Sequence, residues 1–224
     1  MRRIRCLFAL VAVVLGGVAL AMPASAASGG GCELDGVANL SPPLGSSSAP
    51  FTYNFTGNLT SCQSNVAGAP ASGTVSAGIK LPETVTLTNT SNGTTTTGTV
   101  QYQEPVSQGT GSCGSSTTSG QALETWADGK NTVVGYTTTG ALAAVALQGT
   151  VAPSMTLALD PSSVPAGFSA PSTFTIATDE PAFVSGEGAL AALTFSPSTT
   201  AQNCVTVPVS TANIKGIVGI GSSS

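Results

Sequence analysis

Between residues 51 and 60 the chain reads FTYNFTGNLT, with Phe51, Tyr53 and Phe55 separated by Thr52, Asn54 and Thr56. A period of two of this kind predicts a β-strand with one face on a core and the other in solvent, as in an antiparallel sheet. ETVTLTNTSNGTTTTGTVQYQ (83–103) repeats the pattern on two arms. Val85 and Leu87 precede the Asn92-Gly93 pair, and Val100 and Tyr102 follow it. Asn-Gly between alternating arms predicts a hairpin turn. Further strands are expected at 122–126, 132–138, 142–151, 155–159, 173–177, 189–195, 205–209 and 214–220, with a short helix as the alternative for GALAALTF. The three prolines of 160–172 predict loop or edge, and the Gly/Ser-rich stretch 109–120 predicts a flexible connection held by Cys113. No repeat of 20 to 50 residues emerges. About nine to twelve short strands with frequent turn signals predict one all-β domain, a single antiparallel β-sandwich of Ig-like or jelly-roll-like form.

The hairpin signal is sharpest in ETWADGKNTVVGY (124–136), which also holds the single tryptophan. A two-residue Asp-Gly loop would pair Trp126 with Asn131 and set it on the face of Val133 and Gly135. A three-residue loop, Ala127-Asp128-Gly129, pairs Trp126 with Lys130 and groups it with Val134 and Tyr136. It also puts Gly129 at the left-handed bulge position. This second register gathers the large apolar groups on one side and is the one expected. Glu124 then shares that face, where an unpaired carboxylate is costly. It is expected to reach the sheet margin or find a partner, and burial beside Trp126 would raise its pKa.

The basic MRRIR start, the apolar run from Cys6 to Ala21 and the small residues of ASA at 24–26 form a secretory leader, residues 1–26. The run is too short for a stable membrane span. Gly29, Gly30 and Gly31 before Cys32 lack the apolar residue of a lipoprotein site. Residues 27–224 are expected to form one secreted domain, long enough to bury a core. They carry three lysines (Lys80, Lys130, Lys215) against ten acids, a formal charge of −7, with no Arg and no His. Nucleic acid and anionic membrane surfaces need clustered cations, so neither is an expected partner. Four cysteines remain, Cys32, Cys62, Cys113 and Cys204, an even number suited to two disulfides in an oxidising compartment. Of the three connectivities, closing the short local loop first favours Cys32–Cys62 with Cys113–Cys204, although sequence alone does not choose.

Catalytic signatures are missing. Without His there is no Ser-His-Asp or Cys-His arrangement, and no CxxC pair prepares a zinc site. No serine sits in G-x-S-x-G. GEGALA (186–191) matches a dinucleotide-binding pattern only formally, because the strand–helix context is lacking. LPET (81–84) reads as a strand entry, and the single acid beside Gly129 and Asn131 is too little for a calcium loop. Asp179-Glu180 would face opposite ways in a strand and reads as a turn. No metal, cofactor or catalytic residue is therefore expected.

FTYNFTGNLTSC, GTGSC, ETWADGKNTVVGY, ALQGTV and a late Cys before IKGIVGIGS together resemble small secreted β-sandwich proteins of actinobacteria. The sharpest shared element is Trp126 with Asp128-Gly129, and Glu124 stands where an apolar residue is usual in that group. The resemblance implies secretion and the sandwich fold, and carries over no activity. The expected role is a non-catalytic extracellular binding or structural module, secreted or associated with the cell envelope, acting on an envelope polysaccharide or another surface protein. Trp126, Tyr136 and Glu124 are the candidate ligand contacts. Trp126 reads either as a core anchor or as a platform for a sugar ring, the latter making a carbohydrate-binding module. A carboxylate-dependent hydrolase would instead need two acids across one cleft.

Overall fold

The computed structural model describes residues 28–141 and 143–222. The expected leader and Leu142 lie outside the described residues. Fourteen strands run through the described chain: β1 (Ser28–Leu44), β2 (Ala49–Ser64), β3 (Gly73–Ala77), β4 (Lys80–Asn89), β5 (Thr95–Gln103), β6 (Ser107–Gly111) and β7 (Ser115–Trp126), then β8 (Asn131–Ala141), β9 (Ala144–Ala152), β10 (Ser154–Leu159), β11 (Phe168–Ser169), β12 (Thr173–Ala177), β13 (Gly188–Pro197) and β14 (Val209–Ser222). A single 3-10 turn spans Pro161–Ser163.

The all-β class and the two disulfides stand, but the single sandwich does not. The strand order β1-β14-β13-β9-β8-β7-β3-β2 returns to β1, so the larger sheet closes into an antiparallel barrel. β3 and β6 share one position between β2 and β7: β3 pairs with one half of each neighbour and β6 with the other. The barrel thus has eight staves, one of them split. Closure depends on β1, a strand the sequence reading omitted. It pairs with β14 from Ser28↔Ser222 to Leu44↔Val209 and with β2 from Gly30↔Ser64 to Ser41↔Thr52, which leaves no open edge.

Alternation sets the inside and outside of this wall. Along β1, Cys32, Leu34, Ala38 and Leu40 are buried, while Glu33, Asp35 and Asn39 between them are exposed. On β2, Thr52, Thr56 and Asn58 face solvent. On these two strands polar residues outside and apolar residues inside predominate, the reverse of a membrane-spanning barrel, while Val37, Leu190 and Ile217 are apolar side chains exposed on the wall. Among the described residues no helix is long and apolar enough to cross a membrane.

Two excursions from the barrel build the second sheet, ordered β11-β4-β5-β10-β12. The β4–β5 hairpin interrupts the split stave between β3 and β6, and β10 to β12 interrupt the path from β9 to β13. Val85, Leu87, Val100, Tyr102, Met155 and Leu157 form its core against Leu123 and Val133 of the barrel wall. The chain leaves β3 at Gly78 (φ 70°) and returns beside Glu104, which is 1% exposed. Glu104 accepts from Ser76 Oγ (2.6 Å) and Ile79 N (3.0 Å), pinning exit to return.

Two local expectations need correction. The stretch 109–120 is mostly strand, with Thr110↔Thr117 and Gln108↔Ser119 paired across β6 and β7. Backbone bonds to two neighbours order a segment whose side chains gave no periodic signal. The strand expected at 189–195 is present as β13, which takes in GALAALTF. The strand expected at 205–209 starts only at Val209, because Asn203 Oδ1 accepts from the amides of Val205, Thr206 and Val207. A side chain that takes those donors competes with a ladder for them.

Candidate functional site

The barrel interior is the concave feature into which sequence-named residues converge. It starts from the Trp hairpin, which takes the three-residue register: Trp126 N donates to Lys130 O (2.8 Å) and Gly129 N to Trp126 O (2.9 Å). Gly129 has φ 86°, a value that favours glycine. Thr125↔Asn131, Glu124↔Thr132 and Ala122↔Val134 then follow by pairing. Ala122, Glu124, Trp126, Val134 and Tyr136 therefore share one face, and that face points into the barrel.

Trp126 is 4% exposed. Its Nε1 donates to Thr132 Oγ1 at 2.8 Å, and its ring lies 5.1 Å from Phe183, tilted by 39°. Phe183 and Ala182 belong to the segment between β12 and β13, which folds across this end of the barrel. Glu180 and Asp179 amides donate to Asn131 O, fixing that segment to the hairpin. At this exposure no open face of the indole remains for stacking a sugar. Trp126 is the core anchor of its two readings.

Above it, an apolar cavity of about 160 Å³ runs along the barrel axis. Leu34, Leu59, Val75, Val134, Leu193 and Ile220 line it towards Trp126, and Leu40, Phe51 and Phe195 line it towards the opposite end. Eight staves give an interior that side chains just fill or that holds one small molecule. Here small inward residues such as Ala38, Ala77, Ala122 and Ala189 keep it from filling.

Glu124 enters this cavity and is 7% exposed. Its Oε2 is buried without a hydrogen-bond partner among the described residues. Burial pushes its carboxyl from the usual 4.5 up to about 8. The expected margin position and partner are both absent: Val75 and Thr132 flank Glu124 on the neighbouring staves, and no hydrogen bond joins its Oε2 to Thr132. At neutral pH this group is a carboxylic acid, able to donate as well as accept.

Further along the cavity a chain of hydroxyls links four adjacent staves of the wall. Ser107 Oγ meets Tyr136 Oη at 3.1 Å, Tyr136 Oη meets Tyr53 Oη at 2.6 Å, Tyr53 Oη meets Thr118 Oγ1 at 3.1 Å, and Thr118 meets Thr138 at 2.7 Å. Burial raises both phenols above their usual range. Tyr136 reaches across because its β7 neighbour is Gly120. A Cβ there would lie 2.4 Å from Ser107 Oγ and 2.8 Å from Tyr136 Oη. Four steps along β7 separate Gly120 from Glu124, about 13 Å at the rise of an extended strand. The cavity is therefore apolar in its middle, with one carboxyl near one end and a self-satisfied hydroxyl chain beyond.

Of the three candidate contacts, Glu124 and Tyr136 line the cavity, whereas Trp126 is packed in the core and is not among its lining residues. Sequence reading missed Tyr53 as the partner of Tyr136, although both lie at inward positions of their alternation and two buried phenols require hydrogen bonds. The turn acids are otherwise engaged. Asp128 binds Lys130 Nζ at 2.8 Å, and Asp179 accepts from Asn131 N at 2.7 Å. The buried Glu180 accepts from Ala182 N and lies 3.6 Å from Lys130 Nζ. Among the described residues no cluster of His, Cys, Asp and Glu could hold a metal ion. No family profile matches the chain, and neither a curated protein nor a solved structure matches it.

Proposed function

We propose that this is a secreted, non-catalytic binding protein whose barrel encloses one small, largely apolar molecule. The observation that carries this reading is the apolar cavity of about 160 Å³ with a buried, unpartnered carboxyl in its wall. Cavities of this size lined by Leu, Ile and Phe stay dry and take up molecules of benzene size. Buried polar atoms in native proteins nearly always have a partner, so an orphan oxygen facing a cavity supports a ligand that supplies one. The leader-like start and the two disulfides support export to an oxidising compartment. The occluded indole speaks against the carbohydrate-binding alternative.

The test is a titration of the mature protein with toluene, followed by calorimetry and by thermal melts. Saturable one-to-one binding with a rising melting temperature is expected. It should be lost when Ala122→Leu fills the space beside Val134. Absence of binding of toluene and of its polar analogues alike, by wild-type protein that melts cooperatively, would refute the reading.

A further inference from the structure

The interior contains an acid and no base. The three lysines of residues 27–224 are all engaged outside it: Lys80 with Asp160, Lys130 with Asp128 and Lys215 with Asp35. An anionic molecule entering the cavity would meet a carboxyl with nothing to neutralise either charge. A wholly apolar molecule would fill the space and leave Glu124 Oε2 as unsatisfied as before, at the full desolvation cost of that group. A nitrogen base satisfies both the space and the oxygen. We infer that the molecule held by this barrel is a small apolar amine, its nitrogen seated against the Glu124 carboxyl and its hydrocarbon part filling the space between Leu59, Val134 and Leu193. The inference rests on the binding reading above and assigns the chemical class of the ligand.

The proton balance is closed. A neutral Glu124 carboxyl and a neutral amine become carboxylate and ammonium as the O–H proton moves to nitrogen, with no change in total charge. The ion pair forms with its charges mutually compensated, which is the condition for keeping charge in an apolar interior. Its hydrogen bonds are charge-assisted and roughly twice as strong as neutral ones. The net charge of −7 on residues 27–224 adds a long-range field that draws cations towards the molecule.

The groups around Glu124 leave it as the interior's responsive acid. β3 presents Val75 and β8 presents Thr132, neither of them titratable. The interior's other titratable groups are the Tyr53 and Tyr136 phenols, which burial raises further above neutrality. Glu104 is held by Ser76 and Ile79 on the outer side of β3. Glu180 and Asp179 lie in the segment across the Trp126 end, with Lys130 against Glu180. An ammonium taken from solution displaces the Glu124 proton, so amine affinity should rise about tenfold per pH unit as pH climbs towards about 8.

The experiment compares toluene, benzylamine, benzyl alcohol and benzoate on wild-type protein and on Glu124→Gln, which keeps size and shape. Affinities come from calorimetry and the protonation state of Glu124 from its side-chain carboxyl carbon signal in NMR. The expected result is benzylamine about tenfold to a hundredfold tighter than toluene on wild type. That advantage should vanish in Glu124→Gln while toluene binding persists, and the carboxyl signal should move to the ionised position on amine addition. Benzoate should not bind. Equal binding of benzylamine and toluene, or an amine preference that survives Glu124→Gln, overturns the amine assignment while leaving the barrel as a binding site. Preference for benzyl alcohol with Glu124 still protonated overturns it in favour of a neutral hydroxyl ligand. Failure of all four compounds overturns the binding reading and the inference with it.

Discussion

Glu124 retains at neutral pH a proton that exposed glutamates have lost, and this has a consequence for stability that needs no ligand. Its folded-state value, about 8, lies above the usual 4.5. Stability is therefore undiminished below 4.5, declines as pH rises from there to about 8, and is level beyond. At about pH 7 the loss amounts to as much as ~3 kcal/mol, since each unit of pH above 4.5 contributes 1.36 kcal/mol. Glu124→Gln cannot ionise in either state. The variant should match wild type near pH 4 and exceed it by up to ~3 kcal/mol near pH 7, as read from denaturant unfolding at both values. Glu104, which burial also raises, shifts both proteins alike and drops out of the comparison. A wild-type stability that increased with pH relative to the variant would place an unrecognised partner beside Glu124. Parity alone made this residue legible: the three-residue loop put Glu124, Trp126, Val134 and Tyr136 on one face. What parity could not supply was the absence of a partner, which depends on Val75 and Thr132 arriving from strands elsewhere in the chain.

At the scale of elements, the split stave organises the wall near the hydroxyl chain. β3 and β6 each cover half of β2 and β7, and the β4–β5 hairpin leaves between them. Ser107 opens β6, so the Tyr136 hydroxyl finds its partner where the stave resumes. Gly120 opposite permits this approach. Gly120→Ala should push Ser107 and Tyr136 apart and destabilise by about 1–3 kcal/mol, the cost of leaving buried hydroxyls unsatisfied. Unfolding measurements would register the loss, and a tyrosine ring whose NMR signals stayed unchanged would contradict the close contact. The hairpin itself was readable from Asn92-Gly93 and alternating Val85, Leu87, Val100 and Tyr102, all of which lie in the second core. β1 was not read, although Cys32, Leu34, Ala38 and Leu40 alternate with Glu33, Asp35 and Asn39. Its three leading glycines carry no side chain to show a period, and their order comes from pairing with β14 and β2.

For the whole molecule, closure follows from the pairing of the first and last described strands. β1 and β14 are far apart in sequence and form an extensive pairing, a contact no local pattern encodes. Many short strands suit a sandwich and a barrel equally, and only this long-range pairing separates them. The disulfides fasten the result at both ends. Cys32–Cys62 joins β1 to β2 near Trp126, and Cys113–Cys204 joins the β6–β7 turn to the loop before β14 at the other end. The latter encloses a separation of 91 residues, a loop whose closure contributes about 4–5 kcal/mol in the chain-entropy view. Between these fasteners the barrel maintains its cavity, and everything proposed for the protein depends on that space being accessible to an apolar guest. The most direct test is a crystal structure of the mature protein under xenon pressure, because xenon reports apolar cavities of this size without needing a polar contact. The expected result is a xenon peak inside the barrel between Leu59, Val134 and Leu193. A barrel whose side chains close over that space, with no peak along its axis, would contradict the binding function.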